Sequence, residues 1–315
     1  MYKSIDIPAL NSVVISGTLL GLETREGTAK ASGKPYRSVS STIRVNQFYN
    51  GKEEVSEIPV SFIAMKFKKD GTNNPVYDTL GAYSRDYFTA QRDGIEKATK
   101  VLINGRKGNG AISENMYADS RNPENVLSSW NINASFLSEN RGSAPVTGSS
   151  EYATFDTEIF ILNMDRELTA EGEETGRLKI RGGIVKYGRK IDCLDFFVEI
   201  PSAVDYIERN YNVNDTVHVK GRVRFTSEQE IQNVDNGWGE SIPTQTTRKR
   251  HELIISEGNN EPLPEENSYD PEDIRVLIAD RNALKEQKKM EARAKATTAK
   301  ASPATEVSKA AYSWE

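Results

Sequence analysis

Runs in which apolar and polar residues alternate at period two recur through the first 260 positions, a spacing that predicts strands with one buried face. In the run Val217 to Thr226 it puts Val217, Val219, Gly221, Val223 and Phe225 on one face and His218, Lys220, Arg222 and Arg224 on the other. The run Val101 to Gly110 alternates similarly and also passes into Gly-Arg, at Gly105-Arg106. An Asp-Tyr pair precedes each run, Asp86-Tyr87 and Asp205-Tyr206. The two runs read as equivalent strands of an internal repeat, each with its glycine at a barrel corner or bulge.

The flanking segments repeat with them. Asn11 to Phe48 and Thr154 to Lys190 each give a strand, a polar loop rich in Glu, Thr and Gly, and a second strand. Val55 to Phe67 and Ile191 to Pro201 supply third strands, and Gly81 to Gly94 and Ser202 to Asn212 follow with helical spacing, marked in the second by Val204, Ile207 and Tyr211. Ser128 to Asn140 and Arg250 to Asn259 close the halves. Strand-strand-strand-helix-strand-strand, written twice, is the order of a five-stranded Greek-key barrel of the oligonucleotide/oligosaccharide-binding (OB-fold) kind. The expected fold is therefore mainly β, with two OB-fold barrels in tandem over residues 9–140 and 154–260. A flexible Gly/Ser/Pro linker is expected over 141–153, and an acidic linker, an amphipathic helix and a disordered tail over 261–315. That helix starts at Pro271-Glu272-Asp273, and its stripe of Ile274, Leu277, Ile278 and Leu284 is expected to dock on its own domain or on another chain.

Composition narrows the functional classes. The chain has 315 residues, 37% hydrophobic and 28% charged, enough for two domains with their own cores. No apolar run reaches the roughly 20 residues of a membrane span, and the N-terminus lacks a signal-peptide pattern, so a cytoplasmic location is expected. One cysteine, Cys193, and two histidines exclude an intramolecular disulfide and a Cys/His zinc site, and no cofactor is expected. The formal net charge of -5 does not announce a nucleic-acid binder, but the cations are unevenly placed.

They gather on the outward faces of the second half. Lys179 and Arg181 alternate with Leu178 and Ile180, the strand runs on to Lys186, Tyr187 and Arg189, and Lys220, Arg222 and Arg224 lie on the fourth strand. Arg248 and Arg250 open the fifth strand, and Phe197 lies opposite Leu194, Phe196 and Val198. Cations with interleaved aromatics suit a single-stranded nucleic acid, because they release backbone counterions while the rings stack on bases. Solvated strands also carry Lys and Arg for solubility alone. In the first half Tyr36, Arg44 and Phe48 turn outward opposite buried Val39, Ile43 and Val45, Arg106 and Lys107 leave the fourth strand, and Trp130 begins the fifth. That thinner face would equally suit protein contact.

Enzymatic readings are weaker. Lys68 to Gly71 matches the Lys-x-Asp-Gly of nucleotidyltransferases such as DNA ligases, but its Asp-Gly and the following Asn-Pro read as turn punctuation. The glycines of Gly105 to Gly110 lack the ending of a phosphate-cradling loop.

The stretch Asn11 to Asn46, with Gly33-Lys34 and Tyr36, together with Gly105-Arg106 and Gly221-Arg222, resembles bacterial and phage single-stranded DNA-binding proteins. The cellular members usually carry one barrel and an acidic tail, whereas this chain has two barrel patterns and ends in mixed Lys and Glu with Tyr312 and Trp314, which favours a phage-type relative. The resemblance implies a non-enzymatic protein that coats single-stranded DNA without sequence specificity in replication or recombination. Replication or recombination proteins are expected to meet its C-terminal helix and tail. The rival expectation is a structural or adaptor protein, such as a virion or replication-complex component, that uses the same barrels for protein contact.

Overall fold

The computed structural model describes residues 1–30, 32–49, 51–103, 110–119, 122, 124–140, 151–169, 171–235 and 241–301, with residues 228–235, 241–248 and 295–301 described by backbone alone. The first half contains β1 (Asn11–Thr28), β2 (Pro35–Tyr49), β3 (Lys52–Met65), α1 (Pro75–Asp86), α2 (Ala90–Asp93), β4 (Lys100–Ile103), β5 (Gly110–Ala118), β6 (Val126–Ala134) and β7 (Ser138–Glu139). The second contains β8 (Tyr152–Leu168), β9 (Glu174–Lys186), β10 (Lys190–Val198), α3 (Pro201–Asn210), β11 (Thr216–Asp235) and β12 (Ser241–Gly258), and α4 (Pro271–Ala301) follows. The protein is mainly β, as the alternation requires.

The second half closes on itself. β8 pairs with β9, β9 with β10, β10 in parallel with β12, β12 with β11, and β11 again with β8. Its core is the alternating inward set, including Leu178, Ile180, Phe196, Val198, Val217, Val219, Val223 and Leu253. Gly221 occupies a bulge in β11, where a Cβ would lie 2.0 Å from the Ile254 carbonyl oxygen and 2.6 Å from Phe155 Cζ, so a side chain is excluded there.

The first half uses the same sequence of pairings: β1 with β2, β2 with β3, β3 in parallel with β6, β6 with β5, and β4 with β1. Residues 104–109, which join β4 to β5 and include Gly105, Arg106 and Lys107, lie outside the described residues. The repeat is visible at the helices too. α1 and α3 each end at a tyrosine in extended conformation, Tyr87 and Tyr211. Each hydroxyl donates to a carbonyl just past the last long strand of its half, Leu137 O and Asn259 O. Tyr87 therefore corresponds to Tyr211 and not, as the Asp-Tyr spacing implied, to Tyr206. α1 begins at Pro75, six residues before the helical pattern at Gly81, because Asn74 caps it by accepting from Val76 N and proline suits the first turn.

Parts of the segments read as linkers carry contacts of their own. Residues 141–150 of the expected linker lie outside the described residues, and residues 151–153 are structural. The Glu151 carboxylate is buried, where it accepts from Thr18 Oγ1 and Asn46 N and pairs with Lys100, and β8 opens at Tyr152. Asn11–Ser16 of β1 then pairs antiparallel with Tyr152–Thr157 of β8, so one twelve-stranded sheet runs through both halves.

Residues 261–270 are no free linker either: Leu263 N donates to Thr216 O, and Tyr269 is buried with its hydroxyl on Ile7 O. Ile274 and Leu277 of α4 join Ile5, Phe160, Val185, Ile191, Cys193 and Tyr269 in a second apolar cluster, so the apolar stripe docks on its own chain. Leu284 stays exposed. α4 is helical to Ala301, well beyond the fading of its apolar pattern near Lys289, and residues 302–315, with Tyr312 and Trp314, lie outside the described residues. No helix among the described residues is long and apolar enough to cross a membrane.

Candidate nucleic-acid interface

The outward face of the second-half sheet forms where the alternation put it, but its charges are already spoken for. Lys179 and Arg181 both reach Asp195, at 3.0 and 2.8 Å. Arg222 pairs with Glu54 at 2.7 Å and Glu199 at 3.0 Å, while Arg224 meets the same two carboxylates and Glu252 at 2.8 to 3.0 Å. Arg177, which the sequence pattern did not single out, pairs with Glu167, Glu199 and Glu252. Five cations thus face five carboxylates. Burial pushes the Glu199 and Asp195 carboxyls up, but hydrogen bonds and charges from Arg224 and Arg181 outweigh it and hold both below the usual carboxylate range.

Arg222 and Arg224, expected on an outward basic stripe, are instead largely buried. The Arg222 side chain is 7% exposed and the Arg224 side chain 12%. A guanidinium already bonded to carboxylates releases no counterion to an incoming phosphate unless the pair is broken. The aromatic rings are drawn in as well: Arg222 stacks over Tyr49 at 3.5 Å and Arg177 over Phe197 at 4.5 Å. Trp130 packs edge-on against Phe225, with centroids 4.8 Å apart, between the halves. Because Glu54 belongs to β3, the network also fastens the first half to the second.

The other candidates divide. Lys186 pairs with Asp192 at 2.8 Å, and Lys220 approaches Asp156 at 4.0 Å. Arg44 donates to Asn46 Oδ1, Arg250 is partly buried with partners of its own, and the side chain of Arg248 lies outside the described residues. Tyr36 lies on the outward face of β2, in a patch of cross-strand pairs without charge: Tyr36 with Met65, Ser38 with Ile63, Ser40 with Ser61 and Thr42 with Pro59. Ile63 and Met65 are exposed there.

Free aromatic and cationic groups remain at two hairpin tips that are equivalent in the repeat. At the β9–β10 tip Tyr187 is 84% exposed, beside exposed Arg189 and Lys190, which make no ion pair among the described residues. At the β2–β3 tip Phe48 is 69% exposed and Lys52 is likewise exposed and unpaired among the described residues. Gly188 (φ 80°) and Gly51 (φ 75°) supply the left-handed conformations of these turns. The sequence pattern had named Phe48, Tyr187 and Arg189, whereas Lys52 and Lys190 emerge only from the pairing.

Two sequence motifs are placed without chemistry of their own. Lys68 to Gly71 is a turn in which Asp70 accepts from the Thr72 amide and hydroxyl. Cys193 is buried beneath α4, and burial pushes its thiol up to about 11, so it stays protonated at neutral pH. A family model described as YorF matches residues 9–291. No curated protein matches the chain.

Proposed function

We propose that this chain, which belongs to the YorF family, coats single-stranded DNA through two tandem OB-fold barrels, in replication or recombination. The observation that carries the proposal is the pair of equivalent hairpin tips, each with an exposed aromatic ring and at least one exposed cation that makes no ion pair among the described residues. An exposed ring that stacks on any base and a cation that meets any phosphate together recognise a single strand without reading its sequence. The first half is the other barrel in this reading, since its described pairings follow those of the closed half.

The paired face changes how binding would work. Stacking dominates, and the salt dependence is shallow because few cations are free to release counterions. The test is a titration of the full chain with oligothymidylate at two salt concentrations, with duplex of equal length beside it. Saturable binding that disfavours duplex and weakens modestly with salt is expected. Absence of binding at low salt overturns the reading.

A second reading, an adaptor that contacts protein, is favoured by one observation: the uncharged β2–β3 patch with exposed Ile63 and Met65. Substituting Ile63→Glu leaves DNA binding unchanged if the patch serves a protein partner and weakens it if the strand crosses there.

A further inference from the structure

We propose that the seam between the two halves holds one nucleotide of a bound strand, with its base against His251 and its phosphate toward Lys249. The inference rests on the single-strand reading above, and it names a site that reading does not need. The seam contains a cleft of about 410 Å³ lined by Thr42, Val55, Glu57 and Pro59 from the first half and by Phe225, Thr226, Ser227, Lys249 and His251 from the second.

Three features make the cleft a site for a planar polar ring. His251 is exposed, and its ring lies 4.3 Å from that of buried Phe225, tilted by 35°, and Phe225 in turn packs edge-on with Trp130, so the imidazole is the outer member of a supported aromatic cluster. Burial and the neighbouring Lys249 lower the His251 pKa, so the ring is neutral at pH 7 and offers a stacking face without a competing charge. Thr226 also lines this cleft, and its buried hydroxyl oxygen has no hydrogen-bond partner among the described residues. A buried hydroxyl left unsatisfied costs free energy that a ligand group can recover, so it marks where a base edge would bond.

The charges around the cleft fit a nucleotide better than a bare anion. Lys249 is exposed and makes no ion pair among the described residues, so it can meet a phosphate, in contrast to Arg222 and Arg224 nearby. Glu57 also lines the cleft and disfavours a lone phosphate, while its carboxylate can accept from a ring N–H of a base. Since each half contributes one wall, a strand seated there bridges them.

The test uses the full chain with oligothymidylate carrying 5-iodouracil, and compares wild type with His251→Ala, Lys249→Gln and Thr226→Val. Photocrosslinks within residues 225–227 or 249–251, and roughly tenfold weaker binding by His251→Ala, are expected. His251 and Lys249 are exposed, so these variants retain the fold, and equal urea midpoints check this. If wild type binds but crosslinks only at the hairpin tips, and all three variants bind as wild type, the seam site is overturned while the single-strand reading stands. If wild type does not bind oligothymidylate, both fall. Binding of free thymidine monophosphate at the cleft, with no effect of the variants on oligomer affinity, would make it a mononucleotide site and overturn the strand proposal.

Discussion

The outward face of β9–β10 and that of β2–β3 occupy the same place in the repeat and carry opposite chemistry. The first holds charges and spends them, Lys179 and Arg181 on Asp195 and Arg177 on Glu252, and Arg222 and Arg224 of β11 are spent in the same network. The second carries an uncharged patch of Tyr36, Ser38, Ser40 and Thr42 against Met65, Ile63, Ser61 and Pro59, before the face continues to Arg44 and Glu57. Equivalent position in a fold therefore assigns neither face a function. What the halves share is at the hairpin tips, and the largest difference between the faces should appear in stability rather than in binding.

Removing one partner from the buried network separates the faces most strongly. Arg224→Ala leaves Glu54, Glu199 and Glu252 to share only Arg222 and Arg177, one cation short in a buried network, and should cost about 3–5 kcal/mol in a urea titration. Ser40→Ala on the uncharged patch should stay within about 0.5 kcal/mol of wild type. Similar costs for the two would mean that the ion pairs are only surface ornaments and that the stripe is available to a ligand.

Acid sharpens the same contrast. Glu199, Asp195 and Glu114 have folded pKa values below their ordinary ones; for Glu114, burial raises the value but Arg281, Ser128 and the Cys193 amide outweigh it. A depressed folded pKa contributes stability that is present above the unfolded value, about 3.9 for Asp and 4.3 for Glu, and that is lost as pH falls through the folded value. Urea midpoints should therefore be flat from neutral pH down to about 5 and fall below about 4.5, with a weaker fall in Glu199→Gln.

Binding isolates the tips. Phe48→Ala and Tyr187→Ala should each weaken oligothymidylate binding by about 1–3 kcal/mol, the value of one stacked base, without moving the urea midpoint. An effect from Tyr187 alone would mean that only the second half binds. Replacing Lys52, Arg189 and Lys190 together by glutamine should flatten the salt slope by about 2, at roughly 0.7 per phosphate neutralised on a single strand.

Much of the fold was legible because burial on one face fixes strand register: Val217, Val219, Val223 and Phe225 are buried as their alternation demands. The ion pairing of the charged stripe was not legible, for a reason internal to that logic. Alternation states that Arg222 faces away from its own barrel core, but not that β3 of the other half lies over it and delivers Glu54. A partner 168 residues away leaves no local trace in the sequence. The docking of α4 was half legible, since Ile274 and Leu277 marked its apolar side, while Arg281, which donates to buried Glu114 at 2.8 Å, looked like any helical cation.

The smallest expected effect concerns strain at one tip. Arg189 is a non-glycine residue at φ 55°, next to Gly188 at φ 80° in the three-residue loop between Lys186 and Lys190. A side chain in the left-handed region costs roughly 1 kcal/mol, and glycine would remove most of that cost at this exposed turn. If Arg189 is there only as a turn residue, Arg189→Gly is neutral to stabilising by up to about 1 kcal/mol and leaves binding unchanged. If its charge serves a phosphate, the same variant gains stability and loses about 0.7 from the salt slope. A gain in urea midpoint with a loss in affinity would show that the tip carries strain for binding, which the uncharged β2–β3 patch does not.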